Sequence, residues 1–237
     1  MMSVLSVVCA RAGSKGLPNK CMACIGNKRV VEYSIEYSMS LGENVKTVVS
    51  TDIEGLIKYC QNNNITYIRR KPGLCKDESK IDDALADAIE KTGEQYELCS
   101  LVYGSIPTRY KDLFYEAVDF LKHHPDYDAV LSMENVEKFN PAWMFDLNEE
   151  ILPLVKEVNH RRQGLPQKMT HIGHTFIFRT KEFYERYKHV RLYDRIYLYS
   201  IFGSKIKPML TDTLIIDIDN ERDLKIARAV LSNSTLY

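Results

Sequence analysis

The stretch Ser3-Val4-Leu5-Ser6-Val7-Val8-Cys9-Ala10-Arg11-Ala12-Gly13-Ser14-Lys15-Gly16-Leu17-Pro18-Asn19-Lys20 decides how the chain is read. Val4 to Cys9 is an apolar run of strand length and reads as a buried strand. It gives way at once to a loop holding Gly13, Ser14, Gly16 and Pro18 together with the cations Arg11, Lys15 and Lys20. Glycine lets the backbone turn and approach a ligand closely. Free N–H groups in such a turn form an anion nest, and arginine grips a phosphate through two hydrogen bonds at once. The loop is therefore suited to something negative. It is neither the Gly-x-x-x-x-Gly-Lys-Ser/Thr phosphate loop nor the Gly-x-Gly-x-x-Gly dinucleotide fingerprint. A basic surface loop that binds nothing is the alternative. Position argues against it, because open α/β sheets bind ligands beyond the carboxyl ends of their strands.

Outward from that loop the pattern repeats. Residues 29–40 have helical periodicity, 45–50 are β-branched and apolar, and Thr51-Asp52 reads as the cap of a helix reaching about Asn63. A short strand at 65–68 is followed by the basic turn Arg69-Arg70-Lys71-Pro72-Gly73, a helix at 77–91 and an apolar strand at 98–103. A helix at 112–123 and a strand at 128–133 follow. Strand and helix in alternation predict a mostly parallel sheet with crossover helices. Residues 135–167 break this rhythm with Pro141, Pro153 and Pro166, and hold the single tryptophan, Trp143. A strand at 174–179, a helix at 180–187, a last strand at 213–218 and a closing helix to about Leu231 complete the reading. In that last strand Asp217 and Asp219 fall two apart, so both carboxylates face one side. Oxygen ligands of this kind beside a triphosphate suit Mg²⁺. One of the two capping the final helix is the alternative.

The block Ala10-Arg11-Ala12-Gly13-Ser14-Lys15-Gly16-Leu17-Pro18-Asn19-Lys20 resembles the N-terminal signature of the acylneuraminate cytidylyltransferases, the CMP-sialic acid synthetases and their relatives acting on other nine-carbon sugar acids. The family pattern ends in Asn, where this chain has Cys21. Four further blocks resemble the same family in the same order. These are Ser50-Thr51-Asp52, Tyr103-Gly104-Ser105-Ile106-Pro107-Thr108-Arg109, Arg161-Arg162-Gln163-Gly164-Leu165-Pro166 and Asp217-Ile218-Asp219. The common form of the second is Gln-Pro-Thr-Ser-Pro-x-Arg, so Tyr103 stands for the Gln, a variant closer to relatives handling pseudaminic-type sugars. Gly164 stands for an Asp.

The resemblance implies a Rossmann-like α/β fold of the nucleotide-diphospho-sugar transferase type in one domain, 1–237, with residues 135–180 as an inserted sugar-site and dimerisation segment. It implies nucleotide contacts from Ala10, Arg11, Gly13, Ser14, Lys15, Lys20 and Ser105. Arg11, Lys15 and Lys20 would be the catalytic cations, Tyr103, Arg109, Arg162 and Gln163 the sugar contacts, and Asp217 and Asp219 the Mg²⁺ ligands. The expected reaction joins CTP to a nine-carbon sugar acid (N-acylneuraminate, legionaminate or pseudaminate) and releases pyrophosphate, in a homodimer. A relative using another sugar or nucleotide, or one that binds nucleotide without turnover, is the alternative.

The bulk numbers narrow the field. The 237 residues carry 32 basic and 32 acidic side chains, a net charge of zero. A general nucleic-acid or membrane-surface binder would be basic, so neither partner is expected. No apolar run reaches the ~20 residues of a membrane span, no signal peptide is visible, and the cytoplasm, where thiols stay reduced, is the expected compartment. Cys21 and Cys24 have C-x-x-C spacing but no second pair at zinc-ribbon distance, so a closed metal site is not expected. His171 and His174 lie i, i+3 in a stretch that reads as strand, which does not place them on one face as ligands.

Overall fold

The computed structural model describes residues 2–76, 78–92, 95–136, 139–147, 151–154, 161, 164–190 and 202–232. The first strand, β1 (Val4–Ala10), is buried at all seven positions. Burial on both faces is what a central parallel strand needs, and each fully buried Val or Leu contributes about 1.5–3 kcal/mol over exposure. A turn of 3₁₀ helix, Lys20–Met22, and a small hairpin, β2 (Cys24–Ile25) with β3 (Lys28–Arg29), lead into α1 (Val30–Met39). Then come β4 (Val45–Thr51), α2 (Glu54–Asn62), β5 (Tyr67–Arg69), α3 (Ile81–Thr92), β6 (Leu98–Tyr103) and α4 (Lys111–His123). The rest is β7 (Ala129–Asn135), β8 (Phe145–Leu147), β9 (Ile151–Pro153), β10 (Met169–Arg179), α5 (Thr180–Val190), β11 (Ile206–Leu210) and α6 (Glu221–Ser232).

Seven strands form the central sheet in the order β11-β7-β10-β6-β1-β4-β5. β1 pairs in parallel with both β4 and β6, β4 with β5, and β11 with β7. Only β10 runs against its neighbours β6 and β7. One face carries α1, α2 and α4 on Val4, Val8, Val49, Val102 and Ile177. The other carries α3 and α5 on Leu5, Val7, Val48, Leu101 and Phe178. The α/β class and the mostly parallel sheet are as the sequence predicts.

Three expectations change. First, β10 begins at Met169, inside the expected 135–180 segment, and is a full member of the sheet. Its start is registered by Asn135 pairing with Met169. Second, residues 213–218 belong to no ladder; the strand preceding α6 is β11, at the sheet edge. Pro208 inside β11 is tolerated there because an edge strand needs no donor on its outer side. Third, Thr51-Asp52 does not cap α2. The cap residue is Ile53, whose N–H reaches Thr51 Oγ1, and Asp52 is used elsewhere.

Candidate active site

A cleft of about 300 Å³ opens where β1 and β6 end, lined by Cys9, Arg11, Ser14, Lys15, Gly16, Lys20, Cys21, Arg70, Ile81, Tyr103, Ser105 and Asp219. Its first wall is the loop after β1. Gly13 takes φ +78° and Asn19 takes φ 56°, left-handed turns that fold the loop back over the strand end. The wall is fastened from β4: Asp52 Oδ1 accepts the Ala12 N–H at 2.8 Å. Ala10 itself is buried at the strand end, with Gly104 packed so closely that a Cβ there would lie 3.0 Å from the Ala10 Cβ.

The second wall is the acidic segment. Asp219 Oδ1 accepts from Lys20 Nζ at 2.6 Å. A Cβ on Gly16 would lie 2.4 Å from the Asp219 carbonyl oxygen, so the two walls touch backbone to backbone. Asp217 Oδ1 accepts from Ser105 Oγ at 2.6 Å. Ile216 and Ile218 are buried with Ile25, Val30, Leu224 and Ala227, while Asp217 and Asp219 are exposed. Both aspartates are exposed although the segment is not a sheet strand; Asp219 lines the cleft, while Asp217 stands behind Ser105 and is not among the lining residues. Neither aspartate caps α6; Asn220 and Asp223 serve that end.

No group of three or more His, Cys, Asp or Glu side chains among the described residues forms a metal cage. Two carboxylates fit Mg²⁺ nonetheless, since it commonly takes one or two protein oxygens and completes its shell with phosphates and water. Each aspartate uses Oδ1 in its bond to Ser105 or Lys20, and no bond to either Oδ2 occurs among the described residues.

Arg11, Ser14, Lys15, Lys20, Tyr103, Ser105 and Asp219 therefore meet around one cleft. Arg109 does not join them. It donates to the carbonyls of Tyr103, Ile106 and His174 and lies 5.5 Å over the Tyr37 ring, which places it beneath the loop and not in the cleft. Arg162 and Gln163 lie outside the described residues. His171 and His174 sit on β10 as strand residues. His174 is 1% exposed, and its Nε2 accepts the Tyr110 N–H. Burial, with the Arg109 charge behind it, pulls its pKa to about 3 and keeps it neutral. Burial pushes the Cys21 thiol up to about 11. Cys21 and Cys9 are thus protonated, unreactive parts of the cleft floor.

Arg70 belongs to the basic turn that the sequence shows after the third strand. It is 6% exposed, its Nε donates to Ser50 Oγ at 2.9 Å, and its Nη2 has no hydrogen-bond partner among the described residues. A buried guanidinium with an unused donor at a cleft invites an anionic or carbonyl ligand. The signal was its place just past the end of β5, a parallel strand, where ligand-binding residues collect. Asp52 and Thr108 lie in blocks that the sequence singles out, but their partners, backbone groups remote in sequence, are beyond the reach of local pattern.

Comparison with known proteins bears on the family and the fold. A family model described as Cytidylyltransferase matches residues 5–235. An N-acylneuraminate cytidylyltransferase of Streptococcus agalactiae serotype V is 31% identical over 192 residues, 79% of this chain and 46% of that protein. The chain thus spans a little under half the length of that relative. A pseudaminic acid cytidylyltransferase of Campylobacter jejuni is 24% identical over 233 residues, 96% of this chain and 95% of that one. The solved structure of a CMP:2-keto-3-deoxy-manno-octonic acid synthetase complexed with CTP superposes with a TM-score of 0.74 at 14% identity, covering 97% of this chain and 98% of that one. At that identity the likeness speaks for the fold. With the loop after β1 meeting the acidic segment across a cleft, and the family match running almost end to end, the chain belongs to the cytidylyltransferase family.

Proposed function

We propose that the chain transfers the cytidylyl group of CTP to the 2-hydroxyl of a nine-carbon, sialic-acid-like sugar acid, with Mg²⁺. The hydroxyl oxygen forms a bond to the α-phosphorus as its proton passes to solvent, the bond from that phosphorus to the bridging oxygen breaks, and pyrophosphate leaves with its electron pair. Such transfers depend on positioning and charge neutralisation more than on covalent help from the protein. Arg11, Lys15 and Lys20 hold and neutralise the triphosphate, Ser14 donates a hydrogen bond to it, and Arg70 offers its free Nη2 to the nucleotide. Asp217 and Asp219 would hold the Mg²⁺, which when bound polarises a phosphoryl oxygen.

The observation that carries this reading is the contact between the two walls, Lys20 Nζ to Asp219 Oδ1 at 2.6 Å. Cation and carboxylate stand within one phosphate's reach. Tyr103 and the end-to-end match to the pseudaminic acid enzyme favour a pseudaminate-type acceptor over N-acetylneuraminate. The segment 136–168 is proposed to approach the acceptor and a second copy of the chain. Phe139, Met144, Phe145, Leu154 and Met169, in and beside it, leave 42–65% of their surface exposed, apolar surface that a homodimer would cover. No described helix is long and apolar enough to cross a membrane, and the six unpaired thiols suit a reducing compartment such as the cytoplasm.

The test measures pyrophosphate release with each of four nucleoside triphosphates against N-acetylneuraminate, legionaminate and pseudaminate, with Mg²⁺ and with chelator. Release only with CTP and Mg²⁺, and loss of about 10³-fold in Lys20→Ala, is expected, several kcal/mol of transition-state charge stabilisation being at stake. CTP that binds without turnover on any of the three acids overturns the reading.

A further inference from the structure

The acidic segment takes its position from a loop and not from the sheet. Besides Lys20 on Asp219 and the Tyr110 hydroxyl on the Leu214 carbonyl, three hydrogen bonds hold it around Asp217. Thr108 Oγ1 accepts the Ile216 N–H at 2.9 Å, the Ser105 carbonyl accepts the Ile218 N–H at 3.1 Å, and Ser105 Oγ donates to Asp217 Oδ1 at 2.6 Å. The loop giving these bonds is itself braced. Gly104 N–H reaches the Cys9 carbonyl, Arg109 donates to the carbonyls of Tyr103 and Ile106, and Ser34 Oγ lies within hydrogen-bond distance of the same two carbonyls. His174 holds the far end through the Tyr110 N–H.

Within this arrangement Thr108 stands out. It is 1% exposed, it does not line the cleft, and its hydroxyl oxygen accepts the backbone N–H of Ile216, itself buried. A backbone N–H two residues from the end of an alternating run fixes which way the next side chain points. Holding Ile216 therefore aims Asp217, and Ser105 then fixes the rotation of its carboxylate. Partners that orient a ligating carboxylate without touching the metal commonly account for 10–100-fold in affinity.

We propose that Thr108 is the positioning residue for the Asp217 carboxylate, acting with Ser105 to preset it for a divalent cation. This rests on the reading of Asp217 as a metal ligand, and the experiment separates the two. Mn²⁺ alone is titrated into the full chain by electron paramagnetic resonance, and the Mg²⁺ concentration for half-maximal turnover is measured beside it. Asp217→Asn loses Mn²⁺ binding if the metal reading holds. Thr108→Val, which keeps the shape and removes the acceptor, weakens Mn²⁺ about 10-fold and raises the Mg²⁺ requirement in step. Thr108→Ser restores both to within about twofold.

Loss in Asp217→Asn with unchanged Mn²⁺ affinity in Thr108→Val overturns the positioning role alone. Unchanged affinity in Asp217→Asn removes the metal reading and the proposal with it. Should Thr108→Val fail to fold by its melting curve, Ser105→Ala carries the test: weaker Mn²⁺ supports the device and unchanged Mn²⁺ overturns it.

Discussion

The two walls of the cleft are built in opposite ways. The basic wall, residues 11–20, is fed straight from a strand buried at every position and paired on both sides. The acidic wall, residues 213–219, has no ladder at all and hangs on side-chain and loop hydrogen bonds. A wall fed by the sheet inherits the sheet's stiffness. A hung wall is only as well placed as its few anchors, and each anchor is a single substitution away from loss. The cations should thus tolerate changes in their surroundings better than the carboxylates do.

The sharpest way to break that comparison is at the seam. Gly16→Ala puts a methyl against the backbone of Asp219, where 2.4 Å leaves no room and no flexible tip to move aside. The hung wall should yield, and a displacement near 1 Å can cost about 100-fold in rate. A fall of that order in kcat/KM with an unchanged melting temperature is the expected result; a drop in stability with normal activity would mean that the basic wall gave way instead.

A smaller effect is expected from the basic wall's own fastening. Asp52→Ala removes the acceptor for the Ala12 N–H. A hydrogen bond to a charged group is worth about 1.5–3 kcal/mol, so KM for CTP should rise about 10-fold or somewhat more, with kcat nearly kept. Asp52→Asn retains an acceptor and should recover most of the loss. Equal failure of both variants would point to the charge and not to the anchor.

The smallest effect lies in the loop from which the acidic wall hangs. His174 is neutral when folded, with its pKa near 3, and would titrate near 6.5 when unfolded. Its folded pKa is depressed, so the unfolded chain binds the extra proton. The neutral ring's contribution is intact above pH 6.5 and is lost as the pH falls toward 3, at up to about 1.4 kcal/mol per pH unit. The groups facing it are Arg109, Tyr37, Tyr110 and Thr175. Arg109 keeps its charge throughout this range. In His174→Gln, which keeps an acceptor for Tyr110, stability should be flatter between pH 6.5 and 5, a difference of about 1 kcal/mol near pH 6. Parallel curves for the two proteins would remove His174 as the cause.

Much of the basic wall was legible because local pattern encodes it. An apolar run, then glycines and cations, is decided within 18 residues. The acidic wall was half legible. The Ile216–Ile218 alternation correctly predicted that Asp217 and Asp219 would be exposed, because period two reports which residues are buried. It could not report against what: here it is Ile25, Val30 and α6, not a neighbouring strand. The direction of β10 was hidden for a related reason, since Phe176 and Phe178 would be buried whichever way the strand ran. β11 was hidden by Pro208, and Arg70 by its two basic neighbours, which make any turn look solvated. What sequence period cannot carry is the identity of a partner far along the chain, and Asp52, Arg109 and Thr108 all depend on one.

The reversed course of β10 has one more consequence. Because β7 leaves the sheet at the cleft end and β10 re-enters beside it, Asn135 opposite Met169, the chain between them needs no crossover helix to return to the sheet. The fold therefore keeps a splice point at the end of the sheet where the cleft lies. Loops of new length or chemistry could be exchanged there with the seven-strand register left alone.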